Sequence, residues 1–227
     1  MAVSESSGIS YELLDPDVRL MLQVRDDSAA AFDELVLRYQ NRLVTVLEHL
    51  VGRRDQAEDL AQEVFLRVYR SRKRYEPGAK FSTWLYTIAN RVAANALRSR
   101  ARRPEVNLAG NPSGSSPANG LDQIALAASG LMPTRQVDKA ELRDVVRAAL
   151  SSLSERQRMA VLLSKFEQMS YADIAQSMQL STKAIKSLLS RARVNLRQIL
   201  EPYLERGVRP AEHSSVKTES RSNANDL

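Results

Sequence analysis

The segment from Lys80 to Arg103, KFSTWLYTIANRVAANALRSRARR, combines the residue types that binding of single-stranded nucleic acid requires. Aromatic rings can stack on unpaired bases, while arginine and asparagine can bind phosphates and base edges. An ordinary amphipathic helix with a half-buried tryptophan and a solvated basic end would explain the same pattern, so this segment alone leaves both interpretations open. Wound as a helix, it has a core stripe of Phe81, Leu85, Ile88, Ala89, Val92 and Ala96, and beside it a polar and aromatic stripe of Trp84, Thr87, Arg91, Asn95 and Arg98.

A second pattern, in residues 171–193, is typical of a helix-turn-helix that reads the major groove of DNA. Ala175 is the small residue where the two helices cross, and Gln179 lies at the turn position where glycine is commonest. This geometry also occurs in proteins that bind no DNA, but the exposed face of the second helix is cationic and carries no acid, which favours DNA. The residues predicted on that face are Ser181, Thr182, Lys183, Lys186, Ser187, Ser190 and Arg191.

A third pattern is an acidic helix face at Glu58, Asp59, Gln62 and Glu63. Acids near a helix N-terminus are usually a solvated face that suits the helix dipole. The segment from Arg67 to Arg103, however, contains eleven cations and only one acid, Glu76. Because DNA bound to that basic segment would repel the acidic face, a separate protein partner is the sharper hypothesis.

The composition limits the remaining function classes. The chain has 227 residues, a net charge of +6 and no cysteine, and its two histidines are far apart. Neither disulfides nor a metal site can be assembled from these residues, and we expect no metal and no cofactor. No apolar run approaches a bilayer span and the first ten residues do not resemble a signal peptide, so we expect a reduced, soluble, cytoplasmic protein.

The periodicity predicts an all-α fold of two small helical domains joined by a flexible linker. We expect a flexible leader at 1–14, a first domain at 15–104, the linker at 105–136, a second domain at 137–204 and a disordered tail at 205–227. Capping boxes are predicted at 55–58, 154–157 and 170–173, and Ser82 is the predicted N-cap of the helix described first.

Three segments taken in order resemble a bacterial RNA polymerase sigma factor of the extracytoplasmic-function (ECF) class of the sigma-70 family. AEDLAQEVFLRVYR (57–70) resembles the family's core-polymerase-binding helix, and FSTWLYTIANRVAANALRSRARR (81–103) resembles its promoter −10 recognition and melting helix. LSERQRMAVLLSKFEQMSYADIAQSMQLSTKAIKSLLSRARVNLR (153–197) resembles its −35-binding domain. The likeness covers nearly everything except the two tails and the linker.

The resemblance implies roles for individual residues and for partners. Core RNA polymerase would be bound through its β′ clamp helices and its β flap, and promoter DNA as a −35 duplex and a −10 single strand. Members of the family also bind anti-sigma factors, although nothing in the sequence identifies one, and no membrane partner is implied. The implied core-binding residues are Asp59, Gln62, Glu63 and Leu66. The implied −10 residues are Tyr75 in the loop 72–80, Lys80, Trp84, Asn90, Arg91, Asn95 and Arg98, and either Asn90 or Arg91 reads a base. Arg156 joins the seven residues of the helix-turn-helix face at the −35 element.

Three other classes of protein compete with this interpretation. A helix-turn-helix regulator that binds duplex DNA without melting it would leave Trp84 and the acidic face without a function. An enzyme would need clustered carboxylates or a nucleophile next to a base, and the acids here suit capping and solvation, so we expect no catalytic activity. A structural helical adaptor would show no promoter-specific transcription.

Overall fold

Eight helices form the part of the chain that the computed structural model describes, which is residue 11 and the ranges 14–102 and 139–206. All regular elements in these ranges are helical, so the all-α prediction is confirmed. The predicted linker lies outside the described residues, as do nearly all of the leader and the tail. None of the helices described is long and apolar enough to cross a bilayer. The helices are α1 (Pro16–Arg25), α2 (Ala29–Val51), α3 (Arg54–Ser71), α4 (Phe81–Arg102), α5 (Lys139–Ser151), α6 (Glu155–Lys165), α7 (Tyr171–Met178) and α8 (Thr182–Arg206), with a 3₁₀ turn at Arg72–Arg74.

Helices α1 to α4 form the first bundle around a continuous apolar core. Helix α2 begins behind Ser28, whose hydroxyl accepts from the Ala31 amide, and it ends at Gly52. Gly52 has φ +82°, a left-handed conformation that glycine adopts without a Cβ penalty. The chain therefore reverses into α3, which packs along α2. Fully buried side chains of this core include Met21, Leu35, Leu43, Leu47, Val64, Phe81, Leu85 and Tyr86.

Two of the predicted caps in this bundle are wrong. Helix α3 starts at Arg54, one residue before the predicted box, and no side chain caps it. Asp55 instead pairs with Arg53, and the hydrogen bond from that guanidinium lowers the carboxyl pKa. Helix α4 starts at Phe81 rather than behind Ser82. Its first amide donates to Asp15 Oδ2 at 3.1 Å, while Asp15 Oδ1 caps α1. The cap of α4 therefore comes from a residue 66 positions earlier in the chain, which local spacing does not reveal.

Helices α5 to α8 form the second bundle, and α7 and α8 are its helix-turn-helix. Both capping boxes predicted here are confirmed, since Ser154 caps α6 with Gln157 and Ser170 caps α7 with Asp173. Gln179 ends α7 at φ 55°, so a glutamine takes the left-handed position of the turn. Helix α8 runs to Arg206, beyond the predicted end near residue 200 and through Pro202. Fully buried residues of this bundle include Leu162, Leu163, Ile174, Ile185 and Tyr203.

The two bundles pack against each other, with α7 on α4 and α6 on α2. The Ser177 hydroxyl is buried and donates to the Thr83 carbonyl at 3.0 Å, and the Thr83 hydroxyl lies 3.3 Å from Asp173 Oδ1. At the other end, the Arg158 guanidinium on α6 donates to the His49 carbonyl at 3.1 Å. Polar groups of both bundles therefore satisfy one another in the contact between them.

Candidate nucleic-acid interfaces

The aromatic residues at the start of the predicted −10 surface also pack on one another within the first bundle. Trp84 is half-buried, and its ring lies 4.9 Å from that of Tyr75 and 6.1 Å from that of Phe81. Tyr75 is only 3% exposed. A base cannot stack on Tyr75 in this conformation, so stacking there requires the cluster to open.

The remaining residues of the predicted −10 stripe lie further along α4 and are more exposed to solvent. Arg91, Asn95 and Arg98 are exposed, and Asn90 is half-buried one position before Arg91. An Arg98 Nη2 donates to Asn95 Oδ1 at 2.5 Å, which leaves two adjacent polar groups facing solvent. This half of the helix presents donors that could contact a strand without rearrangement.

The basic loop before α4 is partly compensated by acids of the protein. Arg72 and Lys73 both pair with Asp27, at 3.0 Å and 2.6 Å, and these bonds, that from Lys73 first, lower the pKa of the Asp27 carboxyl. Lys80 Nζ lies 3.6 Å from Asp173 Oδ2 of the other bundle. The loop is thus held partly by acids from α1–α2 and from α7, and Arg72 also donates to the Tyr69 carbonyl at 3.0 Å.

All residues of the predicted −35 face are exposed to solvent. Ser181 has a second role, because its hydroxyl accepts from the Ala184 amide at 3.2 Å and caps α8. Arg191 Nη2 donates to Ser187 Oγ at 2.8 Å, and among the described residues neither Lys183 nor Lys186 forms an ion pair. The exposed residues are Arg156, Ser181, Thr182, Lys183, Lys186, Ser187, Ser190 and Arg191.

The predicted protein-binding face runs along α3, which packs on α2 and α4. Asp59 and Gln62 are exposed, and Leu66 is 49% exposed. Glu63 is half-buried and accepts from Arg67 Nε at 2.6 Å, so its charge is partly neutralised on its own helix. The face combines acids with an exposed apolar side chain, which suits a basic and apolar protein surface better than DNA.

Tyr69 extends this face, although it is not among the residues predicted for it from the sequence. It is 42% exposed, its ring lies 5.1 Å from that of Phe32, and the Arg72 guanidinium stacks 4.0 Å from its centroid. The available signal was its spacing, three residues after Leu66 on the same side of α3. Tyr69 is therefore held in place by both a ring and a cation while half of it stays accessible.

An ion pair between the bundles was also missed. Arg42 on α2 donates from Nη2 to Glu167 Oε2 at 2.5 Å and from Nε to Oε1 at 3.3 Å. The Glu167 side chain is 2% exposed and that of Arg42 is 50% exposed. Tyr86 lies beside them, and burial, followed by the Glu167 charge, raises the pKa of its phenol. No spacing rule links residues 125 positions apart, so the sequence alone could not reveal this pair.

In the ranges that the structure describes, no group of three His, Cys, Asp or Glu side chains could hold a metal ion. The surfaces assembled above consist of cations, hydroxyls, aromatic rings and an acidic strip on separate helices. Such groups bind polyanions and proteins by contact. The arrangement therefore suits recognition of other molecules by contact.

Comparisons with known proteins identify the family to which the chain belongs. Residues 35–103 match the family model for Sigma-70 region 2, and residues 143–196 match that for Sigma-70 region 4. The chain belongs to the sigma-70 family of RNA polymerase sigma factors, and it acts in promoter-directed transcription initiation. Within that family it belongs to the ECF group.

Two relatives and two solved structures illustrate the likeness. The RNA polymerase sigma-H factor of Pseudomonas aeruginosa is 32% identical over 194 residues, which cover 84% of this chain and 96% of that protein. The ECF RNA polymerase sigma-E factor of Escherichia coli K12 is 29% identical, with 84% and 97% covered. The sigma factor RpoE of Bartonella quintana, solved with the anti-sigma factor NepR, is 25% identical with a TM-score of 0.57, covering 75% and 96%. CnrH, solved with the cytosolic domain of CnrY, shares the fold at 21% identity and a TM-score of 0.60, covering 82% and 98%.

Proposed function

We propose that this protein binds core RNA polymerase, recognises the −35 and −10 promoter elements and favours opening of the strands at −10. One observation carries the proposal. In this chain of the sigma-70 family, one face of α3 combines acids with the exposed Leu66. That face lies next to a basic strip on α4 and apart from the exposed cations of α8. The three surfaces have different chemistry and can engage three different targets. Catalysis is left to the polymerase, and the site of action is the cytoplasm.

Duplex recognition at −35 is assigned to α8. Its N-terminal turns would enter the major groove, where Lys183, Lys186 and Arg191 can contact phosphates or base edges. Each good bidentate pair with a base discriminates by about 1–3 kcal/mol. Phosphate contacts release counterions, so promoter binding should weaken steeply as salt increases.

Strand opening at −10 is assigned to α4 and the loop before it. Separated bases gain about 1–3 kcal/mol each by stacking on aromatic side chains, and duplex DNA cannot make that contact. Trp84 offers part of its ring, while Arg91, Asn95 and Arg98 can hold the backbone of the same strand. Binding energy of this kind is available only to the open state and therefore favours melting.

Docking on the polymerase is assigned to α3 and to a groove of the second bundle. Asp59, Gln62, Glu63 and Leu66 would face the β′ clamp helices, and Tyr69 would extend that contact by one turn. The groove has a volume of about 360 Å³ and lies between α5, α6 and α8. A helical element of the β flap would fit its apolar lining, which includes Val146, Leu150, Val161, Leu189, Leu196 and Leu200.

An anti-sigma factor is a further proposed partner. The support is that the neighbouring structures of CnrH and RpoE hold CnrY and the anti-sigma factor NepR, respectively. Such a partner would have to cover the α3 face or the groove to exclude polymerase.

The test of the docking face is the double charge reversal Asp59→Lys and Glu63→Lys. We expect loss of co-elution with core polymerase, because four units of charge change on the contact face, while the thermal midpoint stays near that of the wild type. The matched control is Glu201→Lys with Glu205→Lys, which makes the same charge change at exposed positions near the end of α8. Normal co-elution of the first variant would exclude α3 as the docking face.

A further inference from the structure

Asp27, in the turn between α1 and α2, contacts the basic 3₁₀ turn before α4 at several points. Its Oδ1 accepts from Arg72 Nε at 3.1 Å and from Arg72 Nη2 at 3.0 Å, and its Oδ2 accepts from Lys73 Nζ at 2.6 Å. Lys73 Nζ also donates to the Arg25 carbonyl at 2.7 Å, so the end of α1 supplies a second acceptor. One carboxylate therefore holds two consecutive side chains that lie 45 and 46 positions further along the chain.

The backbone around Asp27 is itself fixed by the helices on both sides. Asp27 has φ +70°, a left-handed conformation that aspartate tolerates better than most residues. Its amide donates to the Val24 carbonyl at 3.0 Å, and the next residue, Ser28, is the N-cap of α2. The carboxylate is therefore carried by a short turn that is attached to two helices.

Arg72 connects this carboxylate to the aromatic residues of the −10 surface. Its side chain is only 21% exposed, because it also donates to the Tyr69 carbonyl at 3.0 Å and stacks 4.0 Å from the Tyr69 ring. The Arg72 carbonyl accepts from the Tyr75 amide at 3.1 Å, and the Tyr75 ring packs against that of Trp84. With its donors used inside the protein, Arg72 suits support of the turn better than contact with a phosphate.

We propose that Asp27 is a positioning residue for strand opening, because it holds the basic turn from which the −10 surface begins. Tyr75 ends this turn and supports the Trp84 ring from one side, while part of that ring stays accessible to a base. If the turn were loose, bound bases would have to order it, and that cost would be subtracted from the gain in stacking. The inference rests on the function proposed above and adds a residue that touches no DNA.

The effect of Asp27 should lie in the placement of the turn and not in overall stability. Its side chain is 57% exposed, and exposed ion pairs contribute little to the free energy of unfolding. Arg72 would keep its two contacts with Tyr69 after the carboxylate is lost, so the α3 face should still bind core polymerase. The −35 face on α8 does not involve this turn.

Two substitutions separate the carboxylate from its backbone. Asp27→Asn keeps a residue type that tolerates the left-handed conformation and removes the charge, whereas Asp27→Gly relieves the backbone and removes the whole side chain. The matched control is Asp26→Asn, which makes the same charge change one residue earlier. The Asp26 side chain is 74% exposed, and its Oδ1 lies 3.7 Å from Arg25 Nε.

Strand opening is measured with the full chain and a saturating amount of core polymerase, as the permanganate reactivity of thymines near −10. We expect Asp27→Asn and Asp27→Gly to lower this reactivity several-fold, and Asp26→Asn to match the wild type. Thermal midpoints should stay near that of the wild type. An equal loss for Asp26→Asn would mean that net charge governs opening, and the proposal would be wrong.

A promoter that is already unpaired from −10 to the start site supplies a second readout. On this template no strand separation has to be driven, so Asp27→Asn should support transcription nearly as well as the wild type. Failure on this template too would show that Asp27 serves folding or polymerase binding, which would refute the positioning role. Unchanged opening on the paired promoter by both Asp27 variants would also overturn it. Increased opening would mean instead that Asp27 withholds Arg72 and Lys73 from DNA.

The wild type distinguishes this inference from the proposed function. If the wild type with core polymerase produces no reactive thymines at any promoter, the proposed function fails. If it does produce them and both Asp27 variants match it, the function stands and only the positioning role of Asp27 is lost.

Discussion

The two surfaces assigned to DNA are built in opposite ways. On α8, the residues assigned to DNA are exposed and contribute little to packing, apart from Ser181 as a cap. On α4, Trp84 and Tyr75 pack on each other, and Lys80 pairs with the other bundle. A duplex can be read by a preformed surface, whereas bases exist as stacking partners only after melting. Groups that are used only after melting can therefore serve the fold beforehand.

The largest effect that separates the two surfaces is expected from a triple substitution on α8. Lys183→Ala, Lys186→Ala and Arg191→Ala should together weaken holoenzyme binding to a promoter by about 3 kcal/mol or more, since each contact is worth ~1–3 kcal/mol. The salt dependence of binding should also flatten by about 0.9 per lost phosphate contact. The thermal midpoint should not move. Filter binding over a salt series and calorimetry measure these quantities.

The control for that prediction removes the same charge from the same bundle. Arg143→Ala and Arg147→Ala on α5 and Arg197→Ala on α8 lie outside the proposed −35 face and outside the lining of the groove assigned to the polymerase. Their combined effect on binding should be small. An equal loss of affinity in both triples would mean that net charge, and no defined face, governs the contact.

A smaller and mixed effect is expected on α4. Trp84→Ala should lower the free energy of unfolding by about 2 kcal/mol, less than for a fully buried tryptophan, because the ring is half-buried against Tyr75 and Phe81. It should also reduce the permanganate reactivity of thymines near −10 in complex with core polymerase. Trp84→Tyr should restore most of the stability and part of the opening. A variant that loses opening at unchanged stability would contradict the dual role of this ring.

The two surfaces also differ in how far each could be predicted from the sequence. The α8 face, the helix-turn-helix and two capping boxes depend on spacings within a few residues, and the structure shows all of them. The environment of Tyr75 and Lys80 depends on contacts across the fold, such as Asp173 on Lys80. Asp15 capping α4 and Glu167 meeting Arg42 are of the same kind. Periodicity fixes which side of a helix is apolar, but it cannot tell which distant helix covers that side.

A third effect tests whether the contact between the two bundles exists in solution. His49 is buried where α2 meets α6, with Phe166 against its ring and Arg147 and Arg158 as the nearby charges, and burial, followed by those cations, lowers its pKa to about 4. Between pH 6.5 and 4 the unfolded chain therefore binds more protons at His49 than the native protein, so stability falls as the pH falls through that window. At pH 5.5 the loss relative to pH 7.5 should be about 1.4 kcal/mol.

Because carboxyl groups also titrate in acid, the measurement is a difference between two proteins. Chemical denaturation from pH 7.5 to 5.5 should show a steeper loss for the wild type than for His49→Leu, which has no titrating group there. Parallel curves would mean that His49 is hydrated in solution, and that the bundles do not cover it.

The smallest effect on stability is expected at the turns that end α7 and α2. Gln179 and Gly52 both adopt a left-handed conformation, with φ 55° and 82°. For a residue with a Cβ, that conformation costs roughly 1–2 kcal/mol, while glycine loses roughly 0.5–1 kcal/mol more backbone entropy on folding. Gln179→Gly should therefore stabilise the protein by about 0.5 kcal/mol. Gly52→Ala should destabilise it by a similar or larger amount through the backbone alone, because nothing lies within 4 Å of the added Cβ.

Thermal melts of the two variants should move in opposite directions, and promoter affinity should stay constant since neither residue belongs to a DNA-facing surface. A drop in affinity for Gln179→Gly at raised stability would show instead that the strained turn sets the angle of α8 in the groove.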